Sequence, residues 1–430
     1  MPRETIPDHL AQLTGQVESG YIWRTAMIFT AGISSEGLIR PVMPELDSLR
    51  GVAILLVLWF HGFNYPGLVW SQFSGPARLF LTGAVGGWIG VNLFFVLSGF
   101  LITGILLDSK PKPNFYGRFY IRRALRILPA FYALLLLLIV LPRTGWLEHR
   151  RVGLPFVGLS FLYMANLTSL FGVPEQYAVL WSLAVEEHFY LVWPGVVRVL
   201  SRRAVGWCAL AIFVASPGIR ALVYGLGYDA TANYTWLVAD GLAIGALMGA
   251  LSRDRLASSG SMLYFCATCT TAAIALFVLG TPFGIWRGSS FVGAVFRLTA
   301  VNLFCAGVLS MTMLMGITRF KWIVQFPVLR WFGKISYGLY LVHMLAFDFI
   351  DHWIIRYFPE YYRQLSSRLA LLFPRFLVSV GLAVGVAFLS RKYFEEWFLA
   401  LKDQWTKAAS NSSSQMAPIV VDREVPQRIA

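Results

Sequence analysis

The stretch "ELDSLRGVAILLVLWFH", residues 45–61, is an apolar run that carries an arginine near one end and a histidine eleven residues later. An ionisable side chain inside a bilayer costs at least a few kcal/mol, so its presence there points to function by default. Eleven residues at 100° each make a rotation of about 1100°, roughly 20° from three full turns, so Arg50 and His61 share one helix face. Their axial separation is about 16 Å. With Arg50 at a membrane boundary, His61 is expected near the middle of the bilayer.

The rest of the chain repeats the apolar pattern. Its 430 residues are 57% hydrophobic and 13% charged, with 15 Trp, 18 Tyr and 33 Phe, and the mean hydropathy is +0.63. That is the profile of an all-α, polytopic transmembrane helix bundle and not of a soluble enzyme. Spans are predicted near 51–69, 86–107, 124–141, 178–200, 204–225, 235–251, 262–281, 298–317, 335–351 and 368–390, with 153–170 re-entrant or interfacial. Residues 1–44 read as an N-terminal segment outside the membrane and 401–430 as a disordered tail, with the membrane domain over 45–400. No secretory signal peptide is visible, so insertion is expected to rely on the first spans.

The formal net charge of +14 reads as topology, because Lys and Arg collect in cytoplasmic loops. The loop "DSKPKPNFYGRFYIRRALR", 108–126, is the most basic. It places both termini and Arg50 on the cytoplasmic side of the cell membrane. If 153–170 does not cross, Arg198, Arg202, Arg203, Arg253, Arg255, Arg319, Lys321, Arg330, Lys334, Arg391 and Lys392 fall on that side too. "RTGWLEHRR", 143–151, is a basic loop left on the outer side in either case. Nothing in the pattern favours nucleic acid. Cys208, Cys266, Cys269 and Cys305 lie in or beside apolar runs and read as core packing, not metal or redox sites.

"LDSLRGVAILLVLWFH", followed in order by "GVNLFFVLSGFLIT" (90–103), "RRALRILPAFY" (122–132), "WSLAVEEHFYLVWP" (181–194) and "GKISYGLYLVHM" (333–344), resembles the acyltransferase-3 family of membrane acyltransferases. The resemblance runs from residue 45 to about 400. It implies transfer of an acyl group, commonly acetyl from acetyl-CoA on the cytoplasmic side and without a metal, to a hydroxyl of a carbohydrate or glycosylated acceptor at the cell envelope. The family's functional arginine and histidine match Arg50 and His61, its paired arginines match Arg123 and Arg126, and its glutamates match Glu186 and Glu187.

Elementary chemistry fits those roles. CoA carries a pyrophosphate and a 3′-phosphate, and arginine binds such oxygens in bidentate fashion. Arg118, Arg122, Arg123 and Arg126 are expected in the basic loop and at the start of the next helix, where CoA would arrive; topology signalling alone competes as an explanation, most strongly for Arg118 and Arg122. His61 is the candidate general base for the acceptor hydroxyl, or a transient acyl carrier; a structural histidine is the bland alternative. Of the adjacent Glu186 and Glu187, at most one faces a cavity comfortably, where it would orient His61 or bind sugar hydroxyls. Asp47 can pair with Arg50 or cap the helix start.

Other positions carry less. His343 is a second intramembrane histidine that matches the family pattern without an assignable role. His188 stands where family members usually carry glutamine, and Trp397 after Glu395 and Glu396 where they usually carry proline. Gly90, Ser98, Gly99 and Gly104 read as close helix contacts, and Ser98 has no base beside it to make it a nucleophile. Some relatives carry a fused extracytoplasmic esterase-like domain, which this chain is expected to lack. A multi-pass transporter of a small anionic or glycosylated compound is the rival class, although no inverted repeat is visible. The sequence names neither the acyl group, the acceptor nor any protein partner.

Overall fold

A computed structural model describes residues 37–401 except 66–67, 146, 148–150 and 255–256. The N-terminal segment up to residue 36, the tail from 402, Glu148, His149 and Arg150 of the 143–151 loop, and Arg255 lie outside the described residues. Among the described residues every regular element is helical. The main ones are α1 (Pro44–Phe63), α2 (Gly75–Val85), α3 (Ile89–Ser109), α4 (Phe115–Val140), α5 (Leu154–Phe161), α6 (Leu180–Val199), α7 (Arg202–Gly225), α8 (Asp240–Leu251), α9 (Ser259–Gly280), α10 (Phe291–Gly316), α11 (Pro327–Tyr357) and α12 (Leu369–Ser390).

Among the described residues, eight helical segments are long and apolar enough to cross a membrane. Helix α6 falls short of that measure because Glu186, Glu187 and Arg198 interrupt it. Helix α8 has only 12 residues, about 18 Å of rise, but the turn Thr235–Val238 runs into it and nearly restores the expected 235–251 segment. Large apolar side chains such as Leu136, Leu191, Trp207, Leu222, Tyr264 and Val278 point outward, as the lipid-facing surface of a bundle requires. The protein is a multi-pass membrane protein.

Two boundaries differ from expectation in ways that matter for the site. Helix α1 begins at Pro44, not near residue 51, because proline is favoured at the first helical position and Glu45 and Asp47 suit the N-terminal dipole. Glu45 is fully buried and held by Arg40 and Gln325. Arg50 therefore lies nearly two turns inside the helix, and His61 falls in its last turn. Helix α4 begins at Phe115, not near 124, so Arg118, Arg122, Arg123 and Arg126 all stand on one helix rather than partly in a loop. Phe115, Phe119 and Ile127 form its buried stripe against Tyr190 and Trp193 of α6. Hydropathy averaging sees the arginines and ends the span, whereas the fold buries the stripe and lets the long stems reach away.

The 153–170 segment forms α5 and a 3₁₀ turn, Ala165–Phe171, each too short to cross. Tight helix crossings hold the bundle. At the α1–α11 crossing a side chain on Gly51 would collide with the Leu329 carbonyl, and one on Gly333 with that of Asp47. One buried charge is closely paired: Arg375 bridges Asp351 at 2.5 and 2.7 Å and donates to the Gly62 carbonyl at 3.0 Å. The four cysteines are free thiols, three of them buried.

Candidate active site

Helices α1, α3, α4, α6 and α11 converge around three cavities in series. The first, of about 410 Å³, is lined by Lys112, Arg118, Arg122, Arg123 and Arg126 with Asp108 and Ser109. The second, of about 100 Å³, is lined by Arg50, Ser98, Arg123, Arg126, Ser182, Glu186, Ser336, Tyr337 and Tyr340. The third, of about 440 Å³, holds His61 together with Trp88, Trp181, Asn233, Arg297 and Tyr340. Arg123 and Arg126 belong to both the first and the second, whereas Val91, Phe95 and Tyr340 belong to both the second and the third.

The sequence-predicted residues sort along this series. All four arginines of α4 face the basic cavity, and Arg123 and Arg126 also reach the narrow one. The Arg123 guanidinium lies 3.7 Å over the ring of Tyr190, and its Nε is buried with no hydrogen-bond partner among the described residues, as is that of Arg118. Arg50 donates to Asp47 at 2.9 Å, three residues earlier on the same helix, so Asp47 is its ion-pair partner. Glu186 faces the narrow cavity and accepts from the Ser98 hydroxyl at 2.6 Å. Glu187 lines none of the three, consistent with the 100° step between neighbours. Ser98 is thus a carboxylate partner as well as a small residue at a helix contact.

His61 and His343 lie together. His343 Nε2 is 3.3 Å from His61 Nδ1, His343 Nδ1 is 2.7 Å from the Tyr340 carbonyl, and His61 Nδ1 is 3.0 Å from the Val57 carbonyl. A carbonyl oxygen only accepts, so Nδ1 of each ring carries its hydrogen. His343 then offers Nε2 as a second acceptor for the His61 Nδ1–H. The Nε2 of His61 is left as the lone-pair nitrogen of a ring that lines the third cavity. The orienting contacts of His61 therefore come from Val57 and His343; no hydrogen bond from Glu186 or Glu187 to it is formed.

Three cavity-lining residues were not singled out by the sequence. Tyr340, hydrogen-bonded to Ser182 at 2.5 Å, stands between the cavities of Arg50 and His61. Ser336, Tyr340 and His343 recur at four- and three-residue steps on α11, a polar stripe in an otherwise apolar segment that was available as a signal. Trp181 and Arg297 could not be placed without the fold. His188 bonds Thr235 at 2.7 Å, away from the histidine pair. Glu395 forms an ion pair with Arg391, four residues before it. Among the described residues no cluster of His, Cys, Asp or Glu could hold a metal.

The fold is a multi-pass bundle with a cavity lined by arginines and another lined by an imidazole, and the family it matches is one of acyltransferases. The chain belongs to the acyltransferase-3 family: the family's acyltransferase domain, Acyl_transf_3, matches residues 43–392. The peptidoglycan O-acetyltransferase OatA of Listeria monocytogenes is 30% identical over 338 residues, covering 71% of this chain and 49% of its own length. The putative peptidoglycan O-acetyltransferase YrhL of Bacillus subtilis is 29% identical over 336 residues, covering 70% and 48%. The putative O-acetyltransferase SAS0844 of Staphylococcus aureus is 26% identical over 356 residues, covering 77% and 55%. The chain spans about half the length of the curated relatives it matches. No solved structure matches it.

Proposed function

We propose that this chain takes an acyl group, acetyl in the first instance, from acyl-CoA bound on the cytoplasmic side of the cell membrane and delivers it to a carbohydrate hydroxyl in the His61 cavity. The series of cavities carries this reading: the basic one suits the CoA phosphates, the narrow one suits an extended thioester arm, and the third leaves room for an acceptor. The arginines supply charge-assisted bonds to phosphate oxygens, and the two buried Nε donors of Arg118 and Arg123 are suited to further oxygens. Arg50 and Glu186 flank the narrow passage towards Tyr340.

In the transfer step His61 Nε2 takes the acceptor's hydroxyl proton as that oxygen attacks the thioester carbonyl. The carbon–sulfur bond breaks, and the CoA thiolate recovers the proton from the imidazolium. Val57 and His343 accept from Nδ1–H throughout, which fixes the ring and favours its charged form in the transition state. The names of the relatives point to peptidoglycan or another envelope polysaccharide as the acceptor. A transporter reading lacks any support of this kind.

The test follows CoA release from acetyl-CoA by protein purified into nanodiscs. Release should disappear in His61→Ala, and CoA binding should weaken in Arg50→Ala. A His61→Ala protein that still transfers acetyl to a glycan at the wild-type rate would rule out the proposed base.

A further inference from the structure

The third cavity is mostly apolar, yet two guanidinium groups line it and no carboxylate does. One of the two is fully engaged: Arg220 is buried and bonds Asp240 at 2.9 Å, Thr299 at 2.5 Å, the Val295 carbonyl at 2.9 Å and the Leu237 carbonyl. Arg297, in the second turn of α10, is different. It has a long contact to the Trp286 carbonyl at 3.5 Å and stands 5.7 Å over the Trp88 ring, and among the described residues it forms no ion pair. A half-buried arginine facing a bundle cavity without a counter-charge is costly to keep there and calls for a partner.

Resting on the reading of this cavity as the acceptor site, we propose that the acceptor is an acidic sugar whose carboxylate is held by Arg297 while its hydroxyl faces His61. The planar guanidinium matches a carboxylate through two parallel hydrogen bonds. One uncompensated charge suits a monoanion better than a phosphate monoester, which carries between one and two charges at neutral pH. Trp88 and Trp181 line the same cavity, and aromatic side chains with a polar end suit the mixed apolar and polar surface of a sugar ring. His61 and Arg297 line one cavity, so the anchored acid and the reacting hydroxyl belong to one acceptor.

Binding, measured by the fluorescence of the cavity tryptophans in purified full-length protein, tests this without turnover. The probes are oligosaccharides ending in glucuronic acid or N-acetylmuramic acid, each beside its carboxyl-reduced alcohol. Wild type should bind at least one acid about tenfold or more tightly than its alcohol, the scale of one charge-assisted bidentate contact. Arg297→Met should bring acid binding down to that of the alcohol while leaving the alcohol unchanged, and Arg297→Lys should fall between. Equal affinity for acid and alcohol in wild type, no binding of any probe, or a preference that survives Arg297→Met overturns the proposal. So does displacement of the acid by glycerol 3-phosphate at lower concentration than by free glucuronate. His61→Ala should retain the preference while losing transfer; a variant that retains both removes the proposed base and leaves the acid site standing.

Discussion

Replacing His343 by leucine separates a positioning role from simple packing. His343 is fully buried, and its Nε2 is one of two acceptors for the His61 Nδ1–H, at 3.3 Å, with the Val57 carbonyl the nearer at 3.0 Å. A hydrogen bond to a group that becomes charged contributes about 1.5–3 kcal/mol. The shared geometry and the remaining Val57 contact put the loss at the lower end, about 1.5 kcal/mol, or roughly tenfold in kcat. His343→Gln, whose amide oxygen can accept near the same place, should recover most of that. The assay is acetyl transfer in nanodiscs with kcat and KM for acetyl-CoA measured separately, on variants checked for equal accumulation and thermal stability. The expected result is a fall in kcat with KM nearly unchanged, and no further loss when His343→Leu is added to His61→Ala. Wild-type kcat in the leucine variant, or a defect confined to KM, would refute the orienting role.

The two glutamates should behave unequally: Glu186→Gln, which weakens a carboxylate bonded to Ser98 in the narrow cavity, is expected to lower turnover about tenfold, while Glu187→Gln changes it much less at equal protein level. Arg123→Gln and Arg126→Gln should each raise KM for acetyl-CoA by about tenfold, more than Arg122→Gln, because only the first two line both the basic and the narrow cavity; titrating with acetyl-CoA and with dephospho-CoA thioester checks this. Gly333→Val should reduce accumulation and melting temperature through a clash with the Asp47 carbonyl, read by size-exclusion chromatography in detergent. Arg220→Met should cost about 3–5 kcal/mol by leaving Asp240 buried without its partner, and the double variant with Asp240→Asn should recover part of that in a thermal-shift assay.

Apolar runs, sparse charge and helical spacing determined by themselves that this is a helical membrane bundle, because lipid leaves the backbone no other way to satisfy its hydrogen bonds. The shared face of Arg50 and His61 was equally legible, since it needs only the 3.6-residue period, and the ordered motifs led to the acyltransferase-3 family. Helix starts were less so. The early beginnings of α1 and α4 depend on what buries Glu45 and the Phe115–Phe119 stripe, and that is decided by other helices. Which of Glu186 and Glu187 faces a cavity, that His343 lies beside His61, and that Tyr340 stands between two chambers were decided by how α1, α3, α6 and α11 pack together. Such contacts join residues hundreds of positions apart, such as His61 and His343, and local pattern carries no record of them. The same holds for Arg297, which reads in the sequence as one basic residue among many and gains its meaning from the cavity that only the tertiary structure assembles around it.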